Sequence, residues 1–290
     1  MTDGASDDPW QVQRLDLTAY LARLGVPARP PSPAALDELL VAHRTTFTFD
    51  NIDVLLEQHP GVSLPAIQEK FLGRGRGGYC FEHATIFAAA LQRLGYAATR
   101  LLGRVGDTRH SPRTHLVVAA TLDQQPAEDP IRLPVRLLTD PGFGYTFTHP
   151  MALADGTEQL QEGEHFRIDR IDENGCATWA LSRLRADRWE LQHTTDELPV
   201  RPVDVEMSHH YTNALPTSHF RHRLILGKRH ADGSHTTISQ HSVVRRHPER
   251  PTTHTPFTVA ALPGLLEELD VTLTPDELRR LTARVRALVG

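Results

Sequence analysis

Cys80 stands in the segment GRGRGGYCFEHATIF, residues 73 to 87, behind a run of glycines and arginines and at the head of an apolar stretch with helical spacing. A cysteine at a helix start feels the positive end of the helix dipole, and Arg74 and Arg76 are expected to add positive potential. Both favour the thiolate, which is the nucleophilic form. A thiolate nucleophile needs a base, and the base needs a group that orients it. Among 17 histidines, His115 is placed at the head of a well-marked strand, THLVVAAT, and Asp140 closes a second strand, PVRLLTD, just before the glycine-rich turn PGFGY. An Asp before Pro is biased toward extended backbone, as a strand-end residue should be. Cys80, His115 and Asp140 are the candidate nucleophile, base and orienting group. The competing reading of a lone cysteine is a small buried hydrophobe. Cys176, in ENGCATW, fits that second reading, because it opens a strand and nothing around it prepares a thiolate.

The elements that must position these groups fall into three stretches. Residues 1–95 read helical. Leu17, Tyr20, Leu21 and Leu24 repeat at helical spacing between a candidate N-cap, Asp16, and a stop, Gly25. Ser32 and Pro33 open a second helix with Leu36, Leu39, Leu40 and His43 as its inner stripe. A shorter helix is expected near Leu64 to Leu72. Gly77 and Gly78 are expected to let the chain turn tightly into the helix that starts at Cys80, with Ala84, Phe87, Leu91 and Leu94 as its stripe and Gly95 as its stop. Residues 96–195 carry short β-branched or apolar runs bounded by turn residues, which predicts a sheet or barrel. The proline-flanked DELPVRPVD leads into residues 196–290. There a helix near 203–214, strands at RLILG and HSVVRR, and helices near 257–269 and 275–288 are expected, the last begun by a capping box of Thr274, Pro275 and Glu277.

Composition narrows the function classes. Hydrophobic residues make up 39% of the 290 and charged residues 23%, as in a soluble globular protein. A net charge of −5 without a dense basic stripe argues against nucleic acid as a partner. No apolar run approaches the roughly 20 residues a membrane span needs, and Met1 to Pro9 has neither the basic nor the apolar part of a leader. Two distant cysteines make no disulfide framework, so a cytoplasmic location is expected. The histidine-rich MSHHYT and SHFRHR invite a metal, but no H-E-x-x-H or C-x-x-C accompanies them, and no metal is expected.

The order Cys on a helix, then His and Asp on later strands, is that of papain-like thiol chemistry and of transglutaminases. More specifically, RGRGGYCFEHATIF resembles the RGGYCFE signature of the arylamine N-acetyltransferases. FDNIDVLL at 49–56 is similar to that family's F-E-N-x-D-V-L segment, PRTHLVV to its histidine strand, DPGFGY to its aspartate turn, and SHFRHRLIL at 218–226 to a recurrent C-terminal segment. The matches are collinear, with the histidine 35 residues after the cysteine and the aspartate 25 beyond it.

The resemblance implies an α+β fold: an N-terminal helical bundle (1–95), a central antiparallel β-barrel (96–195) and a C-terminal α/β lid (196–290) around a papain/transglutaminase-like Cys-His-Asp core. It implies acetyl-CoA as acyl donor and an aromatic amine or hydrazine as acceptor. Cys80 would be acetylated, His115 would act as its base, and Asp140 would hold the histidine. Thr114, Phe143 and Gly144 are candidate substrate or cofactor contacts, while Glu82 and Asn51 are expected to fasten the helical part to the barrel. One departure is Pro141, where the family usually has a branched apolar residue. Proline removes an N–H there, which bears on the shape of the loop carrying Phe143. The same three residues would also serve an amide synthase of this family closing a macrolactam on a polyketide chain, or a peptidase or transglutaminase. A non-enzymatic histidine-rich binding protein is a further reading.

Overall fold

The computed structural model describes residues 8–122 and 134–289, so most of the acidic start of the chain lies outside the described residues. Helix α1 (Leu17–Leu24) begins as its sequence dictates, with the Asp16 carboxylate accepting from the Ala19 N–H and Gly25 ending it at φ 71°. In α2 (Pro33–Thr46) the Ser32 hydroxyl caps the Ala35 N–H, and Leu36, Leu39, Leu40 and His43 are buried as the spacing predicts. Strand β1 (Phe49–Asp50) and helix α3 (Ile52–Leu55) follow. They are too short for hydrophobic periodicity to reveal. Helix α4 (Leu64–Gln68) runs on into a π-helical turn, Glu69–Gly73.

Helix α5 (Cys80–Arg93) departs from the single apolar stripe expected of it. Every residue from Cys80 to Leu91 is buried, because the helix is covered by α1 and α4 on one side and by the barrel on the other. Its run of alanines and its buried Glu82 and His83 suit a helix with no solvent face.

The barrel is an eight-stranded antiparallel sheet. Its strands are β2 (Ala97–Val105), β3 (His115–Leu122), β4 (Val135–Thr139), β5 (Met151–Ala152), β6 (Thr157–Gln161), β7 (Glu164–Glu173), β8 (Cys176–Arg185) and β9 (Arg188–Asp196). The order is β5-β4-β3-β2-β9-β8-β7-β6, and the end strands β5 and β6 come side by side, so the barrel is nearly closed. This arrangement brings β3, β4 and β9 around one end of α5, although β9 begins 49 residues after the end of β4 in the chain.

Helices α6 (Pro202–Ala214) and α7 (His219–His222) lead to a second sheet of β10 (Ile225–Arg229), β11 (His235–Ser239), β12 (Ser242–His247) and β13 (Arg250–Pro256). Its outer strand is β1, so the N-terminal region supplies an edge to the C-terminal sheet. Residues Ile52, Leu55 and Leu56 around α3 share a core with Leu226, Ile238, α8 (Leu262–Glu268) and α9 (Pro275–Val289). At the start of α9 the Glu277 N–H donates to the Thr274 hydroxyl, and the Glu277 carboxylate accepts from the Thr274 N–H, the predicted capping box. Among the described residues, no helix is long and apolar enough to cross a membrane.

Candidate active site

Cys80 is the first residue of α5 and is buried. The helix begins there because Tyr79 is extended and the Glu82 carboxylate reaches back to the Tyr79 N–H at 3.1 Å. Gly77 and Gly78 serve close approach rather than a left-handed turn. A Cβ at Gly77 would lie 1.8 Å from the Thr48 carbonyl oxygen, and one at Gly78 would lie 2.0 Å from Glu82 Oε2. The expectation for the arginines needs correcting. Arg76 is buried and given to Asp53 at 3.0 Å and Glu277 at 3.2 Å, and Arg74 faces Asp53 at 3.8 Å. Positive potential at Cys80 therefore comes from the helix start and from the imidazole beside it.

That imidazole is His115, the first residue of β3. Its Nε2 lies 3.0 Å from Asp140 Oδ2, immediately after β4. With Nε2 spent on Asp140, Nδ1 is the nitrogen left to serve the Cys80 thiol, which donates to the Thr114 carbonyl at 3.6 Å. Burial works to lower the His115 pKa, but the Asp140 charge, the hydrogen bond to it and the contact with Cys80 outweigh burial and raise it to about 10. Burial likewise pushes Asp140 up, and the charge and hydrogen bond of His115 reverse this, holding the carboxyl well below its usual range. Gly142 fixes the spacing between the two halves of the site. A Cβ there would come within 2.8 Å of Cys80 Cα and 2.9 Å of the His83 Cβ, so the loop after Asp140 rests directly on the first turn of α5.

A second histidine, which the sequence did not single out, joins them. His193 on β9 is buried, its Nε2 is 3.2 Å from the same Asp140 Oδ2, and its ring lies 4.8 Å from that of His115. Burial lowers its pKa and outweighs the pull of Asp140. One carboxylate thus faces two imidazoles whose pKa values are pushed in opposite directions. The only sign of His193 in the sequence is its place in LQHTTD, a polar strand with no apolar residue beside it. His115, Asp140 and His193 also form the one group among the described residues whose donor atoms lie close enough for a metal, within 4.8 Å of one another. MSHHYT and SHFRHR contribute no such group there. His209 is hydrogen-bonded to the Tyr79 hydroxyl, and the His222 ring donates to the Pro216 carbonyl.

The other residues singled out in the sequence take varied places. Thr114 offers its carbonyl to the thiol, turns its hydroxyl to the Pro112 carbonyl at 3.4 Å, and lines a cavity of about 380 Å3 with Tyr211, Ser218, His219 and Phe220. The half-buried Phe143 ring lies 4.8 Å from His115 and 5.5 Å from His193. Gly144 is an anchor of its loop, because its carbonyl accepts from Arg44 at 3.3 Å and His235 at 3.1 Å. Glu82 and Asn51 do not fasten the helical part to the barrel. Glu82 bonds Lys70 at 2.8 Å and faces His59 at 3.2 Å. Asn51 bonds the carbonyls of Phe220 and Arg223 and the N–H of Ile225, and so ties the helical part to the C-terminal region. Cys176 opens β8 as expected, but it is half-buried at a strand end rather than in the core.

The chain has counterparts among known proteins. The N-acetyltransferase family model matches residues 34–274. The arylamine N-acetyltransferase / N-hydroxyarylamine O-acetyltransferase of Salmonella typhimurium is 32% identical over 80% of this chain and 79% of its own. The crystal structure of the Nocardia farcinica arylamine N-acetyltransferase superposes with a TM-score of 0.84 at 31% identity, covering 97% of this chain and 99% of its own. The Mycobacterium marinum arylamine N-acetyltransferase, solved in complex with CoA, gives 0.81 at 28% identity, covering 95% and 100%. With a family match across five-sixths of its length, and a helix-borne cysteine beside a histidine at a strand head and an aspartate just past a strand end, the chain belongs to the arylamine N-acetyltransferase family.

Proposed function

We propose that the protein is an acetyl-CoA-dependent arylamine N-acetyltransferase working by ping-pong transfer through Cys80. The observation that carries this reading is the buried Cys80–His115–Asp140 contact, with the imidazole raised toward its charged form beside a thiol at a helix start. The Cys80 thiolate attacks the acetyl carbonyl, the carbon–sulfur bond to CoA breaks, and the leaving thiolate takes the proton from His115. The now neutral His115 then removes a proton from the attacking amine as the acetyl–cysteine bond breaks, which restores the ion pair. Glu82 and His83 donate their N–H groups to the Tyr79 carbonyl, which leaves the Cys80 and Phe81 amides of the first turn for the developing oxyanion.

In this reading the helical part carries the nucleophile, the barrel carries its partners, and the C-terminal part covers the cavity beside Thr114. Phe143 forms a wall for a planar aromatic amine or hydrazine. CoA as donor is in keeping with the Mycobacterium marinum enzyme, which was solved with it. The two cysteines, both free, suit a reducing cytoplasm. The test is a panel of aromatic amines and hydrazines with acetyl-CoA, scored by free thiol release. Amine-dependent release with parallel double-reciprocal plots is expected. Turnover of a carrier-bound acyl chain but not of acetyl-CoA would overturn the reading.

A further inference from the structure

Two residues past Phe143, Tyr145 is surrounded by guanidiniums. Arg246 lies 4.4 Å and Arg183 5.0 Å from its ring centroid. Arg229 lies within the same cluster, and Arg44 reaches the carbonyls of Gly144 and Phe147 on the same loop. Glu162 and Glu164 oppose these four cations, and Asp140 also acts on Arg44. Glu162 is bonded to Arg229 and Thr148, while Glu164 accepts from the Tyr145 hydroxyl at 3.0 Å and stands 3.9 Å from Arg183. The neighbouring Arg185 has its own partner, Glu190, at 4.0 Å. The cluster is thus left with more positive than negative charge. Buried Arg183 Nε and Nη1 and Arg229 Nε find no acceptor among the described residues.

Buried arginines are ordinarily matched by acceptors, because removing the charge from water is costly. Here Arg44, Arg183 and Arg229 are buried and Arg246 is half-buried. Burial lowers the pKa of all four, and the charge of Arg229 helps bring Arg44 down to about 9. Beside them is a cavity of about 170 Å3 lined by Tyr145, Glu162, Glu164, Arg229, His235 and Arg246, far more room than a single water needs.

We propose that this cavity is a binding site for a phosphate group, either free or carried on a phosphorylated small molecule. A phosphate dianion supplies negative charge to the cluster and accepts guanidinium N–H bonds from Arg229 and Arg246, the two arginines that line the cavity. The site adjoins the loop that follows Asp140. The His235 ring packs 4.9 Å from that of Tyr145 and donates to the Gly144 carbonyl.

The test is calorimetric titration of the whole protein with inorganic phosphate at constant ionic strength and pH 7, which reads binding without acetyl transfer and so stands apart from the proposed activity. Saturable binding is expected. It should weaken at least tenfold in Arg246→Gln, weaken less in Arg246→Lys, and persist in Arg279→Gln, where the arginine is surface-exposed and remote in sequence. Circular dichroism establishes that each variant is folded. Competition then separates the sources. CoA displacing phosphate better than dephospho-CoA identifies a donor-borne phosphate, and equal weak displacement by both identifies free phosphate. An absence of saturable phosphate binding, or equal binding by folded Arg246→Gln, overturns the proposal.

Discussion

Two buried polar clusters meet the first turn of α5, and they are built on opposite rules. On one side Lys70 sits between Asp53 at 3.0 Å and Glu82 at 2.8 Å, and Arg76 between Asp53 and Glu277. Each cation has two anions, Asp53 is shared by both, and Glu82 closes the set by holding the Tyr79 N–H. On the other side one carboxylate, Asp140, serves two imidazoles, with a thiol beyond one of them. Asp140 Oδ1 and both ring nitrogens of His193 there have no hydrogen-bond partner among the described residues. The first cluster fixes charge, and the second leaves room for charge to move. A helix start that must present a thiolate needs both, because the ionic cluster cancels the negative charge of Glu82, two residues from Cys80.

Asp140→Asn should give the largest effect. The amide cannot stabilise an imidazolium, and its NH2 can face the His115 N–H. By analogy with other triads, acetyl transfer should fall by about 10² to 10⁴, with the fold retained by circular dichroism. Loss of less than tenfold would show that the carboxylate is not part of the working set.

On the ionic side, Glu82→Gln leaves Lys70 with one anion fewer and should cost about 3 kcal/mol of stability, as broken buried pairs do, read from urea unfolding. The two clusters should also fade at opposite ends of the pH scale. Burial raises Glu82, and Lys70 followed by His59 overturns this and holds its pKa below its usual value. Its contribution is therefore present above about pH 4.3 and lost on acidification. His115 is raised instead, so its contribution is complete below about pH 6.5 and declines as the pH rises through its folded value of about 10. The stability gap between the parent and Glu82→Gln should close below pH 4, and the gap to His115→Gln should close toward pH 10. A pair of gaps that close at the same end would erase the distinction between the clusters.

His193→Phe should be milder. It removes the imidazole that faces Asp140 at 3.2 Å but leaves His115 in place, so transfer should fall by about tenfold, the order of a single polar contact to a charged group. A loss as large as that of Asp140→Asn would make His193, rather than His115, the main partner of the carboxylate.

What the sequence made legible follows the same divide. Cys80, His115 and Asp140 are marked by local signals, a helix start and two strand ends, and the fold brings them together. Helices α1, α2 and α9 carry their caps beside their apolar stripes, and their bounds were readable. His193 was not, because its partners come from strands remote in sequence and its own strand is polar. The fate of Arg76 was equally hidden, since Asp53 and Glu277 reach it from positions 23 and 201 residues away. Strands β11 and β13 escaped notice for a related reason. HTTIS and RPTTHTP have no clear apolar alternation, and β13, exposed throughout and bearing two prolines, forms as an edge partner of β12.

The central claim is that Cys80, and not Cys176, receives the acetyl group. Incubation with acetyl-CoA in the absence of amine, followed by intact-mass measurement and peptide mapping, tests it directly. The account predicts one added acetyl group on the peptide containing Cys80, discharged by an aromatic amine, with Cys176→Ser labelled and turning over within a few-fold of the parent. Acetylation mapped to Cys176, or no acetyl-protein under conditions where amine is turned over, would contradict it.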